Sequence, residues 1–280
     1  VEVKTVFLPV SEQVNNYTQF YWAEQFNAGV EKFKNIQEDP DNKKKYLNEA
    51  IDNFTNASII NPTDAQTHTT LSKCYLDLGD KENAIKLIKT AVEKNPDDFN
   101  ANFTAGQIML RCELNSQEVL PYYQKAVQIE SSNSNALREL ASIYYDIDQK
   151  EKSIQVFKDA IENEGDKIIK ADLYFNLGVI YNQMQNYEEA EKSFDEAYYL
   201  NEDDFEAALG MASAYEGLGN KYFNGTDGFT KDLELAVRWY RKAERKIKDV
   251  KSIDFENAAE YQRQLELILY KRDIYCYLLL

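Results

Sequence analysis

Small side chains recur along the chain in pairs seven positions apart, each pair enclosing a large apolar residue. Seven residues are about two turns of an α-helix, so the three members of each triplet lie on one helix face. The small members let a neighbouring helix approach closely, and the bulky one fills the groove between turns. The six triplets are Ala50/Phe54/Ala57, Ala84/Ile88/Ala91, Val119/Tyr123/Ala126, Ser153/Phe157/Ala160, Ala190/Phe194/Ala197 and Ala236/Tyr240/Ala243.

A second series of small residues precedes the triplets and predicts a partner helix for each. Its members are Gly29, Ser72, Gly106, Ala141, Gly178 and Ala212. From Ser72 onward they are 34, 35, 37 and 34 residues apart, a period typical of a repeated helix hairpin. Turn signals separate the hairpins, with Asn or Asp expected to cap the next helix. The turns are Asn61-Pro62-Thr63-Asp64, Asn95-Pro96-Asp97-Asp98, Ser131-Ser132-Asn133, Glu164-Gly165-Asp166 and Asn201-Glu202-Asp203-Asp204.

Composition favours this helical array over other fold classes. The 280 residues include only ten Gly and five Pro, too few turn formers for a loop-rich β protein. A hydrophobic content of 44% excludes an intrinsically disordered chain. The longest apolar run, Ile274 to Leu280, is too short to span a bilayer. The three Cys, at positions 74, 112 and 276, lack a CxxC spacing and are expected to be reduced, buried hydrophobic residues.

The net charge limits the classes of partner. A formal charge of −16 argues against a general nucleic-acid binder and against a polybasic membrane-surface protein. Because the chain begins with Val1 rather than Met, we expect that a leader or another domain was removed. The compartment is therefore left open: cytoplasmic, or periplasmic or exported if a leader preceded Val1.

The hairpin pattern resembles the tetratricopeptide repeat family, whose unit of about 34 residues has small, aromatic and proline residues at fixed positions. The match is best from Ala65 to Asp98, where Leu71, Ser72, Tyr75, Ala84, Ala91 and Pro96 fall in register. The resemblance implies an all-α protein, a right-handed superhelical solenoid of about six hairpins plus a C-terminal capping helix. In such an array the first helices of the hairpins line a concave face.

The predicted organisation has three parts. Residues 1–16 form an N-terminal extension, residues 17–250 form six repeats, and residues 251–280 form the capping helix. The predicted repeats are 17–64, 65–98, 99–133, 134–170, 171–204 and 205–250. On the capping helix one stripe, which can cover the last repeat, consists of Ala258, Tyr261, Leu265, Ile268 and Tyr275.

Two aromatic segments near the C-terminus leave alternatives open. An insertion from Asn220 to Lys231 contains Tyr222, Phe223 and Phe229, which either recognise a partner or fold back on the final repeat. The terminal run from Ile274 to Leu280 is more apolar than one helix face requires. It either packs within the chain or allows self-association through the C-terminal helix.

Residues able to support catalysis are sparse. His68 is the only histidine, so a multi-histidine metal site is excluded, and its repeat position is one typical of packing. Asp97-Asp98 and Asp203-Asp204 are interpreted as helix caps rather than catalytic carboxylates. No phosphate-binding glycine motif is present. The sequence therefore predicts a non-enzyme with no cofactor and no metal site.

The resemblance places the candidate binding site on the concave face, at positions 2, 5, 9, 12 and 13 of each repeat. Apolar residues there, next to basic and amide side chains, suit an extended peptide or a partner helix. The alternative is that these side chains only pack between repeats. The predicted site residues are Phe103, Gln107, Leu110, Arg111, Arg138, Tyr145, Phe175, Val179 and Asn182.

The predicted function is that of a non-catalytic scaffold that binds another protein or a peptide. The alternative function is a structural subunit, or a tethered exported protein, that joins a larger assembly through its ends and its convex surface.

Overall fold

A computed structural model describes residues 9–203, 205–254 and 256–278, and over these residues the protein is helical without a β-strand. A single 3₁₀ turn, Pro40–Asn42, joins the first two helices. The all-α class predicted from the triplets is confirmed. The helices are α1 (Val10–Glu38), α2 (Lys43–Ile60), α3 (Ala65–Asp77), α4 (Lys81–Lys94), α5 (Phe99–Arg111), α6 (Ser116–Ile129), α7 (Ser134–Asp146), α8 (Lys150–Asn163), α9 (Lys167–Gln183), α10 (Tyr187–Leu200), α11 (Phe205–Asn224), α12 (Leu233–Ile253) and α13 (Ala258–Leu278).

The chain divides into two compact units, Val1–Ser131 and Ser132–Leu280. Unit 1 contains the hairpins α1/α2, α3/α4 and α5/α6, and unit 2 contains α7/α8, α9/α10, α11/α12 and the single helix α13. We call the leading helix of each hairpin its first helix. The first helices are α1, α3 and α5 in unit 1, and α7, α9 and α11 in unit 2.

The cores of the hairpins are built from the two series of small residues. Every member of the six triplets is buried, and so is every member of the preceding series. Among the glycines of the preceding series the contact is closest at Gly106 on α5, where a Cβ atom would lie 2.5 Å from the Tyr123 ring of α6. Because glycine has no side chain, the two helices approach until the ring covers the α5 backbone.

Aspartate and asparagine side chains cap the helices where the turn signals predicted them. Asp64 accepts a hydrogen bond from the Thr67 backbone N–H at 2.7 Å, and Asp98 does the same for Ala101 at 2.6 Å. Asn133 and Asp166 cap α7 and α9 in the same way. These caps satisfy backbone donors that have no partner within the helix. The predicted cap at position 204 lies outside the described residues.

Helix α1 begins at Val10, ahead of residue 17, where the sequence places the start of the first repeat. Residues 1–8 of the predicted N-terminal extension lie outside the described residues. At the end of the chain, residues 279 and 280 of the terminal apolar run also lie outside them.

The predicted capping stripe packs as expected. Tyr261, Leu265 and Ile268 are buried where α13 meets the last hairpin. The Tyr275 ring stacks on Phe223 of α11 at 3.8 Å between ring centroids.

The Asn220–Lys231 insertion is partly helical, because α11 continues to Asn224. Tyr222 makes an edge contact with Phe229 at 4.9 Å. Together with the stacking of Phe223, this contact shows that the aromatic insertion folds back on the protein.

Candidate functional site

In unit 2, hydrogen bonds between side chains join the three first helices along one surface. The Tyr145 hydroxyl of α7 donates to the Gln183 side-chain oxygen of α9. The Asn182 amide of α9 donates to Ser213 Oγ of α11 at 3.0 Å. Consecutive first helices are therefore neighbours, and we call this face of unit 2 its first-helix surface.

Apolar side chains lie beside these polar groups on α9. Phe175, Val179 and Asn182 are spaced i, i+4 and i+7, so they share one helix face. Each of them is half-buried, and the Phe175 ring lies 5.7 Å from the buried Phe194 ring of α10. Part of each side chain thus supports the hairpin, and part stays open to solvent.

Unit 1 repeats this arrangement on α5. Phe103, Gln107 and Leu110 have the same i, i+4 and i+7 spacing. The Phe103 ring stacks on Phe99 at 5.4 Å and meets the Tyr123 ring edge-on at 5.8 Å. Phe103 and Leu110 are half-buried, whereas Gln107 is exposed. This is the first-helix surface of unit 1.

The two predicted basic groups of the site have carboxylate partners. The Arg111 guanidinium lies 3.4 Å from the Asp77 carboxylate of the neighbouring first helix, α3. The Arg138 guanidinium lies 3.3 Å from Glu139 on its own helix. Both pairs are partly exposed, so each contributes little to folding stability. Their main consequence is electrostatic, because a carboxylate lies beside the positive charge of each arginine.

The predicted site residues therefore fall into two groups. Phe103, Gln107, Leu110 and Arg111 lie together on α5 in unit 1, and Arg138, Tyr145, Phe175, Val179 and Asn182 lie on α7 and α9 in unit 2. The site residues predicted from the sequence do not include the hydrogen-bonding partners Gln183 and Ser213. Their repeat positions were the available signal, because both fall at positions assigned to the concave face.

The residues that were candidates for catalysis or metal binding make structural contacts. His68 Nδ1 lies 2.9 Å from the Asp64 carbonyl oxygen, within the first turn of α3. Burial raises the pKa of the Cys74 thiol to about 12, which keeps this side chain protonated and unreactive at neutral pH. Among the described residues, no group of three or more His, Cys, Asp or Glu side chains could hold a metal ion.

Within the described ranges, the helices also lack the combination of length and apolar character that a membrane crossing requires.

Comparison with known proteins identifies the repeats. Family models described as tetratricopeptide repeat match residues 45–102, 136–167 and 171–204. A tetratricopeptide repeat-containing protein of Caenorhabditis elegans, trd-1, is 25% identical over 149 residues, which are 53% of this chain. The TPR repeat-containing protein YpiA of Bacillus subtilis is 24% identical over 197 residues, which are 67% of this chain. The matched regions span only 18% and 45% of these two relatives.

Solved structures show the same fold at low sequence identity. The C-terminal part of a TPR repeat-containing protein from Cytophaga hutchinsonii has a TM-score of 0.57 and 16% identity, and covers 93% of this chain and 92% of its own. The MamA protein has a TM-score of 0.54 and 20% identity, covering 68% and 95%. YrrB, described as a TPR protein with an unusual peptide-binding site, has a TM-score of 0.51 and 18% identity, covering 63% and 95%.

Repeats of this type mediate protein–protein interaction, and proteins with this fold are typically non-catalytic scaffolds. The buried hairpin cores, the helix caps and the family matches to three separate regions all indicate the same type of helix-hairpin repeat. Residues 45–102, 136–167 and 171–204 of this chain are tetratricopeptide repeats.

Proposed function

We propose that this protein is an interaction scaffold that binds a peptide or a partner helix on its first-helix surfaces. The observation that carries the proposal is the pairing of half-buried apolar side chains with amides on one helix face. It occurs in both units, at Phe103, Gln107 and Leu110 on α5 and at Phe175, Val179 and Asn182 on α9.

The two kinds of side chain suit different parts of a ligand. Apolar anchors supply most of the binding energy once a ligand removes them from water. Amide and hydroxyl groups such as Asn182 and Tyr145 can hydrogen-bond a peptide backbone. The bonds from Tyr145 to Gln183 and from Asn182 to Ser213 hold these groups in place before binding, which lowers the entropy cost of association.

The charge of the surface narrows the class of ligand. Because Arg111 and Arg138 are already paired with carboxylates, an anionic ligand would meet the negative charge of Asp77 or Glu139 beside each guanidinium. We therefore favour a ligand segment with apolar anchors and little net charge. Binding of such a segment should depend only weakly on salt concentration.

The test is a selection of random displayed peptides against the immobilised protein, followed by affinity measurements on the selected peptides. Val179→Lys places a charged side chain among the proposed anchors. Tyr145→Ala removes an aromatic group and its hydrogen bond. We expect either change to weaken binding at least about tenfold, since each removes on the order of 1.4 kcal/mol or more.

Tyr199→Ala is the matched control for Tyr145→Ala. Tyr199 is 76% exposed on α10, a second helix, and should not contribute to the surface. The proposal fails if the selected peptides bind the Tyr145 and Val179 variants as tightly as the unchanged protein while circular dichroism shows that both variants are folded.

A further inference from the structure

Helix α1 extends well beyond the helix with which it pairs. Along the contact between α1 and α2, Asn56 donates a hydrogen bond to Gln25 at 3.3 Å, and Lys32 forms an ion pair with Glu49 at 2.9 Å. This antiparallel register places Ile60, the last residue of α2, opposite Tyr21. Residues 10–20 of α1 therefore project past the end of α2 by roughly 16 Å, at 1.5 Å per residue.

The projecting part of α1 carries an exposed apolar stripe. Val10, Val14, Tyr17 and Tyr21 are spaced i, i+4, i+7 and i+11, in line with the residues that meet α2 further along the helix. Val14 is 56% exposed and Tyr17 is 64% exposed. Val14, Tyr17 and Tyr21 line an open groove of about 590 Å³ in unit 1, together with Ile59 of α2. Exposed apolar patches of this kind mark interaction sites.

We propose that this groove binds the same groove of a second copy of the chain. A twofold axis would bring the two projecting segments together in antiparallel orientation. The projecting α1 segment of the second copy would then lie against α1 as a continuation of α2, beginning where α2 ends at Ile60. In this register Val10 lies near Tyr21 of the second copy, and Val14 faces its Tyr17.

The absence of charged residues in the groove favours a second copy of the chain as its occupant. Glu12 is the only charged residue from position 10 to position 21, although 29% of all residues in the chain are charged. A twofold contact places each surface against itself, so any strong charge would repel its own copy. The residues that line the groove are all uncharged, so this part of an acidic protein can meet itself without that repulsion.

The apolar area available for contact sets the expected strength of the dimer. Two aromatic side chains, Tyr17 and Tyr21, are each more than half exposed and offer roughly 200 Å² per copy. Val10, Val14 and Ile59 add to this, but the total stays at or below the roughly 800 Å² per partner of a standard interface. The dimer should therefore be weak and reversible, with a dissociation constant in the micromolar range.

Sedimentation analysis of the purified chain over a concentration series tests the proposal. We expect a monomer–dimer equilibrium that tightens as salt rises from about 0.05 to about 0.5 M, because screening reduces the repulsion between two chains of charge −16. A monomer up to roughly 100 µM in both buffers would overturn the proposal.

Complementary substitutions test the register. Val14→Lys and Tyr17→Glu each bury a charge against an apolar side chain, so each variant alone should dimerise at least about tenfold more weakly. An equimolar mixture of the two variants should recover the dimer, because the introduced ammonium group of one chain then faces the introduced carboxylate of the other. Both positions are exposed in the single chain, so folding should be unaffected.

Tyr277→Glu is the control, since Tyr277 is 79% exposed on α13. It should leave dimerisation unchanged. Dimers that survive Val14→Lys and Tyr17→Glu but dissociate with Tyr277→Glu would place self-association on the C-terminal helix and contradict the proposal.

Discussion

At the scale of single residues, glycine determines how closely the two helices of a hairpin approach. Gly106 lies under the ring of Tyr123, which is fully buried. An alanine at this position would gain helix propensity worth about 1 kcal/mol. It would also force the ring and the α5 backbone apart, at a cost of about 1 to 3 kcal/mol. The steric cost should exceed the gain, because a Cβ atom 2.5 Å from the ring is a severe overlap.

We therefore predict that Gly106→Ala lowers the free energy of unfolding by up to about 2 kcal/mol in urea titrations. Gly165→Ala is the control, because a Cβ atom there meets nothing within 4 Å. That variant should be neutral or slightly stabilised, since alanine restricts the unfolded chain. Equal effects of the two substitutions would show that the close contact in the α5/α6 hairpin is not a constraint.

At the scale of secondary-structure elements, α13 is joined to α12 by apolar packing and by a buried ionic contact. Glu244 of α12 is only 9% exposed and accepts hydrogen bonds from Lys248 at 2.5 Å and from Arg272 of α13. Burial alone would raise the pKa of the Glu244 carboxyl. The hydrogen bonds and positive charges of Lys248 and Arg272 outweigh burial and lower the pKa below its ordinary value of 4.5.

A carboxyl group with a lowered pKa in the folded state stabilises the fold above its unfolded pKa. That contribution is lost as the pH falls from about 4.5 through the lowered value. We predict that Glu244→Gln reduces the melting temperature near neutral pH and makes it less sensitive to acid than that of the unchanged protein. Thermal unfolding followed by circular dichroism from neutral pH to about pH 3 measures both effects. Glu162→Gln, at an exposed position on α8, should match the unchanged protein across this range.

The elements that the sequence predicted well are those fixed by helix geometry. Side chains seven residues apart on a helix must share a face, and every residue of the predicted triplets is buried in a hairpin. The C-terminal end of α11 was harder to place, because the predicted insertion begins at Asn220, within the helix. The helix in fact continues to Asn224 and ends where Gly225 adopts a left-handed conformation at φ 66°.

The candidate site was predictable only in part. Repeat positions predicted which residues lie on the first helices, but not which side chains bond across them. Arg111 reaches Asp77, and Tyr145 reaches Gln183, across helix–helix distances that depend on how neighbouring hairpins pack. The spacing of residues along the sequence does not determine how neighbouring hairpins pack. The neutralisation of the arginines, which changes the expected class of ligand, therefore emerged only from the structure.

At the scale of the whole molecule, repeated hairpins provide two chemically different surfaces. The first-helix surfaces combine half-buried apolar groups with amides, whereas the projecting part of α1 carries an apolar stripe almost without charge. We assign the former to a peptide or partner helix and the latter to a second copy. Because different residues form the two surfaces, substitutions on one should leave the other function intact.

The most direct measurement of the central claim is site-specific photo-crosslinking to a selected peptide ligand. A photoreactive phenylalanine analogue replaces either Tyr145 on the first-helix surface of unit 2 or Tyr199 on α10. Our account predicts a covalent adduct from position 145, competed by excess unlabelled peptide, and none from position 199. Adducts from position 199 alone, with the peptide still bound to both proteins, would contradict a ligand site on the first helices.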